Sequence, residues 1–381
     1  MRRQKDRKTG DEGQPKVLGV WTSCFANITG QAIVTDRVVT VLQNVCDVSL
    51  YRFLPRLSTR SLYSWGIATV LLLKDVLAGN ATNFYLVVSR SHLGFLRDLP
   101  ALLATRHYPE RVLHAHGFDI VELLESRWYS SIARWAYAES TLIVPSKHIL
   151  QYFDKTRCRV IAINNPVNVD SITGSNADDN NPNVLVLESN PPKDILHVCW
   201  NSNVMASKGF CLAFESCERL ISRGFNLHFH IFGGPIGDNS MSLTKITAAL
   251  NHAKTAPWAT HYGQVRRPEM LRAVAQADVV VLPTFHPSES QGLAVVEAMA
   301  LGRQVIASNT EVMRATTEGY PAVLVAPADA DALDRALLAA YSQRKKFRTS
   351  VGSSSHYIRQ KFSDETFSKN IINAIFTGRN D

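Results

Sequence analysis

Two carboxylates, Glu289 and Glu297, stand eight positions apart in the stretch 287–302, PSESQGLAVVEAMALG. Between them lie a small polar turn, Ser290-Gln291-Gly292, and an apolar run that begins at Leu293. A strand-like segment, 278–282 (DVVVL), comes just before. The order strand, loop, helix start predicts a helix opening near Gly292. Such an opening points free backbone N–H groups into the loop, and its dipole favours an anion there. Glu297 then sits on the order of 7 Å along the helix from its tip. A diphosphate at the tip and a diol on Glu297 would fit one nucleotide-sugar. An ionised carboxylate accepts hydrogen bonds from two adjacent hydroxyls, which suits a ribose. The plainer alternative is a solvated helix start with a buried second turn.

Other residues could serve the same chemistry. Lys208-Gly209 closes the segment HVCWNSNVMASKG, after a strand and before a helix. A lysine there reaches a diphosphate as a point charge. Helix N-termini disfavour cations, which weighs against an idle surface lysine. His116 lies in LHAHGFD at a strand end, and His114 is two residues earlier on the same face. The H-x-H pair could suggest a metal, but no third ligand stands near it in sequence. His114 reads as a core histidine or one that supports His116. Gly30, in NITGQ, follows the first strand; it lets backbone approach a ligand, and a plain turn fits it equally. Gly233-Gly234-Pro235 follows strand 227–232, and Gly263 precedes Gln264-Val265. Tight turns explain both almost as well as a ligand does. No G-x-G-x-x-G occurs, which disfavours a nicotinamide dehydrogenase.

The elements that must hold these residues form two α/β halves. In the first, strand-like runs at 17–21, 45–50, 84–88, 112–115, 141–144 and 160–163 alternate with amphipathic stretches such as 31–42, 118–138 and 148–153. That alternation predicts βαβ units and a parallel sheet. The second half has strands at 195–200, 227–232, 259–263, 278–282, 304–307 and 322–325, with helices between them, one over 209–222. Residues 171–192, rich in Asn, Asp, Ser, Gly and Pro, read as the linker. Two doubly wound domains facing a central cleft follow, with ligand sites at the carboxyl ends of the strands. In that arrangement His116 points into the cleft.

The bulk numbers agree. At 381 residues with 45% apolar content, each half can bury its own core. The net charge is +8, from 41 basic and 33 acidic residues. The first 16 residues hold six basic and three acidic side chains and supply +3 of it. They read as a solvated tail, with an anionic membrane surface as the functional reading. No apolar segment follows them as in a signal peptide. The longest apolar run, 65–73, stops at Lys74-Asp75, short of the roughly 18 residues of a membrane span. Six scattered cysteines show neither a disulfide framework nor a zinc site. A cytoplasmic protein, peripheral on the inner membrane face at most, is expected. The basic residues form no stripe, so nucleic acid is not an expected partner.

The stretch 287–302 resembles the signature of the family-four retaining glycosyltransferases, the E-x7-E group of the GT-B fold. The family reads roughly E-G-F-G and then E-A-M-A-x-G. Here Glu289-Ser290-Gln291-Gly292 takes the first part, and 297–302, EAMALG, matches the second almost letter for letter. The resemblance is firm over 194–338 and looser before it. It implies a Rossmann-like acceptor-side domain over 17–170 and a nucleotide-sugar-binding one over 193–361. It also implies a final helix, 362–381, that crosses back to the first domain. Transfer of a sugar from a nucleotide-diphosphate donor to a hydroxyl acceptor, with retention by same-face attack, is the implied activity. Acceptors would be a sugar, a lipid-linked sugar or another hydroxyl compound, and neither metal nor cofactor is expected. Glu289 would bind donor-sugar hydroxyls or support oxocarbenium charge, Lys208 the diphosphate, Glu297 the ribose. His116 would lie near the transferred sugar. Gly30, Gly233, Val265, Ser290, Gln291, Gly292 and Leu293 would line the donor. Asn203 stands where the family has an arginine, so it donates hydrogen bonds without charge. Two alternatives remain: a nucleotide-sugar hydrolase or epimerase of the same fold, and a non-catalytic nucleotide-sugar-binding protein.

Overall fold

A computed structural model describes residues 17–23, 30–54, 58–89, 91–108, 110–153, 157–167, 195–350 and 352–376. The basic tail 1–16, the linker 171–192, Cys24 and the loop before Gly30 lie outside the described residues. The chain divides into two compact units. The first runs to Val144 and adds Tyr152–Ile161 and the residues from Ser368 on; the second takes Pro145–Gln151 and Ala162–Phe367.

The first unit is built on strands β1 (Val17–Ser23), β2 (Asp47–Phe53), β3 (Asn83–Val87), β4 (Arg111–His114), β5 (Thr141–Val144) and β6 (Arg159–Ala162). They lie in the order β2-β1-β3-β4-β5-β6, with β1 to β5 paired in parallel. Its helices are α1 (Gly30–Gln43), α2 (Thr59–Ala78), α3 (His92–Ala104), α4 (Asp119–Glu125) and α5 (Ser130–Tyr137). Right-handed crossovers in this strand order put α1 on one face and α2 to α5 on the other. Arg111, 1% exposed, pins that layer to the sheet. Its guanidinium donates to Leu102 O of α3 at 2.8 Å and, beside α5, to Ala136 O at 3.0 Å and Ala138 O at 2.8 Å. These carbonyls lie near helix C-termini, where a cation is favoured. Burial lowers the Arg111 pKa to about 10, which still leaves it charged at neutral pH.

The amphipathic stretch 118–138 holds two helices: Ser126 turns to an extended ψ of 130° and ends α4 before α5 begins. One expectation needs correction, that the apolar segment around 65–73 falls short of a membrane span. Helix α2 continues to Ala78 and is long and apolar enough to cross a membrane, although only 17% of its most apolar stretch is buried.

The second unit carries β7 (Leu196–Asn201), β8 (Leu227–Phe232), β9 (Ala259–Gly263), β10 (Val279–Leu282), β11 (Gln304–Ser308) and β12 (Val323–Val325). All are parallel, in the order β12-β11-β10-β7-β8-β9. Between them lie α6 (Phe210–Ser222), α7 (Leu243–Thr255), α8 (Arg267–Gln276), α9 (Leu293–Ala300) and α10 (Glu311–Thr317). Helices α11 (Ala330–Ser350), α12 (Gly352–Lys361) and α13 (Asp364–Phe376) follow. A sheet covered on both faces has strands that read as continuous apolar runs, as VVVL does in β10. The strand order reverses between β7 and β10, and the crevice beyond the strand ends at such a switch point is where open α/β sheets bind ligands.

Candidate functional site

The loops after β7 and β10 meet at that switch point. Gly209 (φ 86°) opens α6, and a Cβ there would lie 2.3 Å from Pro283 O. Only glycine allows this approach of one loop to the other. Phe285 N donates to Ser207 O across the same seam at 2.8 Å. Ser207 is a further junction. Its N–H (2.9 Å) and its hydroxyl (2.6 Å) both donate to Asp238 Oδ2 in the loop after β8. Its oxygen then accepts from His286 Nδ1 at 2.9 Å. Burial pushes the Asp238 pKa up, but bonds from Ser207, Met241 and Ser240 outweigh it and hold the carboxyl below its ordinary value. Three strand-end loops are thus tied together.

That tie brings Lys208 and Glu289 side by side. Lys208 Nζ is 3.4 Å from Glu289 Oε2 and donates to Ser202 Oγ at 3.2 Å. Glu289 Oε1 accepts from Gly292 N at 3.1 Å. Gly292 (φ 67°, ψ 61°) is the N-cap of α9, and Leu293 is its first residue. A Cβ at Gly292 would meet Met313 Cε at 2.5 Å. The helix tip therefore holds an anion already, the chain's own Glu289, which Lys208 neutralises. Helix dipole, the Gly292 amide and the lysine ammonium all favour negative charge at this point. Ser290 is half-buried in the connecting turn.

Glu297 departs from the sequence expectation of an open carboxylate. It is 4% exposed, one turn inside α9. Oε1 lies 2.8 Å from Arg267 Nη2, and Oε2 accepts from Asn201 Nδ2 at 2.9 Å. Burial raises its pKa, while Arg267 and Asn201 pull it down. A buried charge must be paired and hydrogen-bonded, and these two groups do that. Each oxygen keeps one further lone-pair direction. Gln291 is a second correction. It is 2% exposed and turned inward. Asn165 N donates to its Oε1 at 2.7 Å, and its Nε2 donates to Asn165 O at 3.1 Å. Its side chain clamps the Asn165 backbone instead of standing open in the loop.

The glycine turns pack loop on loop. A Cβ on Gly233 (φ 101°) would sit 2.3 Å from Ser202 O. Gly233 N donates to Gly263 O at 2.8 Å, and His261 Nε2 bonds Gly233 O at 2.8 Å. Asn203 is exposed beside this turn, and Val265 is half-buried two residues before Arg267. In the first unit, His116 is 6% exposed after β4, with Nε2 3.2 Å from Thr35 Oγ1 of α1. Its ring lies 4.1 Å from that of His114, which is fully buried against Tyr85 Oη. Burial, then the neighbouring His116, push the His114 pKa well below its ordinary value. Gly30 is the first residue of α1. Among the described residues, no group of three or more His, Cys, Asp or Glu stands close enough to hold a metal.

Lys208, Glu289, Gly292 and Leu293 therefore converge, with Asn203 and Gly233 beside them and Glu297 deeper on α9. Sequence reasoning missed Arg267, Asn201, Ser207, Asp238 and His286. One signal was available for Arg267: a cation at a helix start is disfavoured unless it has a partner elsewhere.

Residues 193–343 match the family model "Glycosyl transferases group 1". The matched segment contains the whole cluster. A D-inositol 3-phosphate glycosyltransferase of Paenarthrobacter aurescens (strain TC1) is 32% identical over 148 residues, 37% of this chain. That match spans only 35% of the relative's length. Among solved structures, a glycosyltransferase from Rickettsia africae ESF-5 covers 96% of this chain and 100% of its own, with a TM-score of 0.67 at 14% identity. Anabaena HepE in complex with UDP-glucose covers 96% and 100%, with a TM-score of 0.66 at 14% identity. The fold is GT-B: two parallel-sheet, Rossmann-like domains.

Proposed function

We propose that this protein is a retaining glycosyltransferase that moves a sugar from a nucleotide-diphosphate sugar to a hydroxyl acceptor. We place it on the cytoplasmic side, in cell-surface polysaccharide or glycolipid assembly. The observation that carries the reading is the Lys208–Glu289 pair at the tip of α9, held across the strand-order switch point. A glycosidic bond breaking to a diphosphate builds negative charge on the leaving oxygens. Lys208 and the first amides of α9 are preorganised to receive that charge. A donor diphosphate would take the Gly292 N–H and the Lys208 ammonium from Glu289. The freed carboxylate would then be available to the sugar ring or its hydroxyls. Glu297, bridging Asn201 and Arg267, keeps lone pairs for a ribose. Asn203 would add a neutral donor where the resembled family has a cation. With no nucleophile assigned, same-face attack has the leaving phosphate accept the acceptor's proton. HepE, bound to UDP-glucose in its structure, makes that donor the first to test.

The test is donor turnover with and without acceptor, using UDP-glucose and a panel of polyol phosphate, free sugar and lipid-linked sugar. The expected result is nucleoside diphosphate release that requires an acceptor and falls by about 100-fold or more in Lys208→Ala, the size of losing one preorganised charge-stabilising donor. Release unaffected by every acceptor would point to a hydrolase instead. Tight binding with no turnover would point to a binding protein.

A further inference from the structure

Helix α2 has no ordinary reason to be apolar on its outer side. Tyr63, Ile67, Val70 and Leu77 fall on one face at 100° per residue, and that face is open to solvent. Tyr63 is 73%, Val70 64% and Leu77 86% exposed. The opposite face, with Ala68 and Leu72, is buried. A helix apolar all round belongs in a core or in lipid, and an apolar face of this extent on a water-soluble surface calls for an occupant.

The same layer continues the face. Leu93 and Leu96 of α3 are 67% and 44% exposed. Trp128, just before α5, is 78% exposed, and Trp135 on α5 is 49% exposed. The Arg127 guanidinium lies 5.7 Å from the Trp128 ring, and that of Arg106 lies 4.3 Å from the Trp135 ring. Tryptophans with arginines over their rings suit the boundary between acyl chains and headgroups. The charges sort in the same sense. Asp75 of α2 and Asp98 of α3 are held by partners within the fold, Tyr51 and Asn80 for one, Trp21 and Ser89 for the other. Among the described residues, Arg60, Lys74, Arg106 and Arg127 are cations on or beside these helices, and the exposed Glu122 and Glu125 lie on α4.

We propose that the outer face of the α2–α3–α5 layer docks flat on an anionic lipid bilayer. Crossing the bilayer is excluded by the inner bonds of α2. Tyr51 Oη donates to Asp75 Oδ2 at 2.8 Å, Trp65 Nε1 to Arg97 O at 2.9 Å, and Tyr108 Oη to Val76 O at 3.3 Å. A spanning helix would break all three, whereas a helix lying in the interface buries its outer side alone. A second copy is the weaker occupant, because two such faces would bring like charges together. Anionic headgroups complement them.

The test is co-sedimentation of the full chain with vesicles, run without any sugar donor. Its failure therefore leaves the transfer reading untouched, and an inactive protein could still bind. Vesicles of phosphatidylcholine with about 30% phosphatidylglycerol are compared with phosphatidylcholine alone. We expect binding to the anionic vesicles, weakened by salt, and at least about tenfold weaker in Ile67→Asp/Val70→Asp with an unchanged circular dichroism spectrum. Circular dichroism separates loss of the surface from loss of the fold; if the double variant misfolds, Leu77→Asp alone is used. No binding by the wild-type chain overturns the proposal. So does equal binding of the variant, which would assign the contact to residues 1–16. A dimer that the variant dissociates, with no vesicle binding, overturns it as well.

Discussion

Lys208 and Gln291 lie close together in this site and answer to different physics. Lys208 meets a carboxylate across a loop seam, so removing it frees charge without opening a core. Gln291 has its carbonyl and amide on the backbone of Asn165, both buried. Gln291→Ala should cost about 1–3 kcal/mol of stability, because two buried backbone groups lose their partners. It should leave the intrinsic donor affinity of the folded protein near its original value. Urea denaturation and donor titration of the same variant check both halves; a large affinity loss at unchanged stability would return Gln291 to the ligand. The pattern 287–302 made Glu289 and Gly292 legible, because strand, turn and helix lie within one short stretch. Glu297 was legible as a position and not as an environment. Its burial depends on Arg267 and Asn201, and no spacing in the chain reports that the three meet.

The strands were the most readable elements. Runs such as VVVL and LHFHIF are short, apolar and bounded by turn residues, so period and length agree. Helix α2 was misread because Lys74-Asp75 looked like a stop. In the folded chain Asp75 bonds Tyr51 and Asn80, and the helix runs on to Gly79, whose left-handed conformation caps it. The histidines of β7 and β8 gave no readable signal either. His197 Nδ1 and His230 Nε2 lie 2.9 Å apart, and His230 Nδ1 is 3.0 Å from Tyr262 Oη of β9. Burial, then His228 and His197, lower the His230 pKa to about 2. The unfolded value is about 6.5, so the unfolded chain binds the proton first. The stability from a neutral His230 is complete above about 6.5 and is lost as pH falls from there toward 2. Between pH 7 and 5 this group should contribute a decline approaching about 1.4 kcal/mol per pH unit. His230→Phe should flatten the pH dependence by that amount in denaturation at pH 7, 6 and 5. Equal slopes would show that His230 is protonated in the native state.

At the scale of the whole molecule, two parallel sheets with reversed strand order follow from the alternation of apolar runs and helical stretches, and that much was written in the sequence. The surface was less legible. A net charge of +8 says that anions are favoured, and it does not say where. The second unit concentrates one answer, a helix tip and a lysine at the switch point. The central claim is that this tip receives the diphosphate of an activated sugar. A thermal-shift comparison of UDP-, GDP- and dTDP-sugars on the wild-type chain and on Lys208→Ala tests it most directly, since a ligand that binds only the native state raises its apparent stability. The account predicts that at least one donor raises the melting temperature of the wild type and that Lys208→Ala loses most of that rise. A chain that no nucleotide-sugar stabilises, or a Lys208→Ala variant stabilised as much as the wild type, would contradict it.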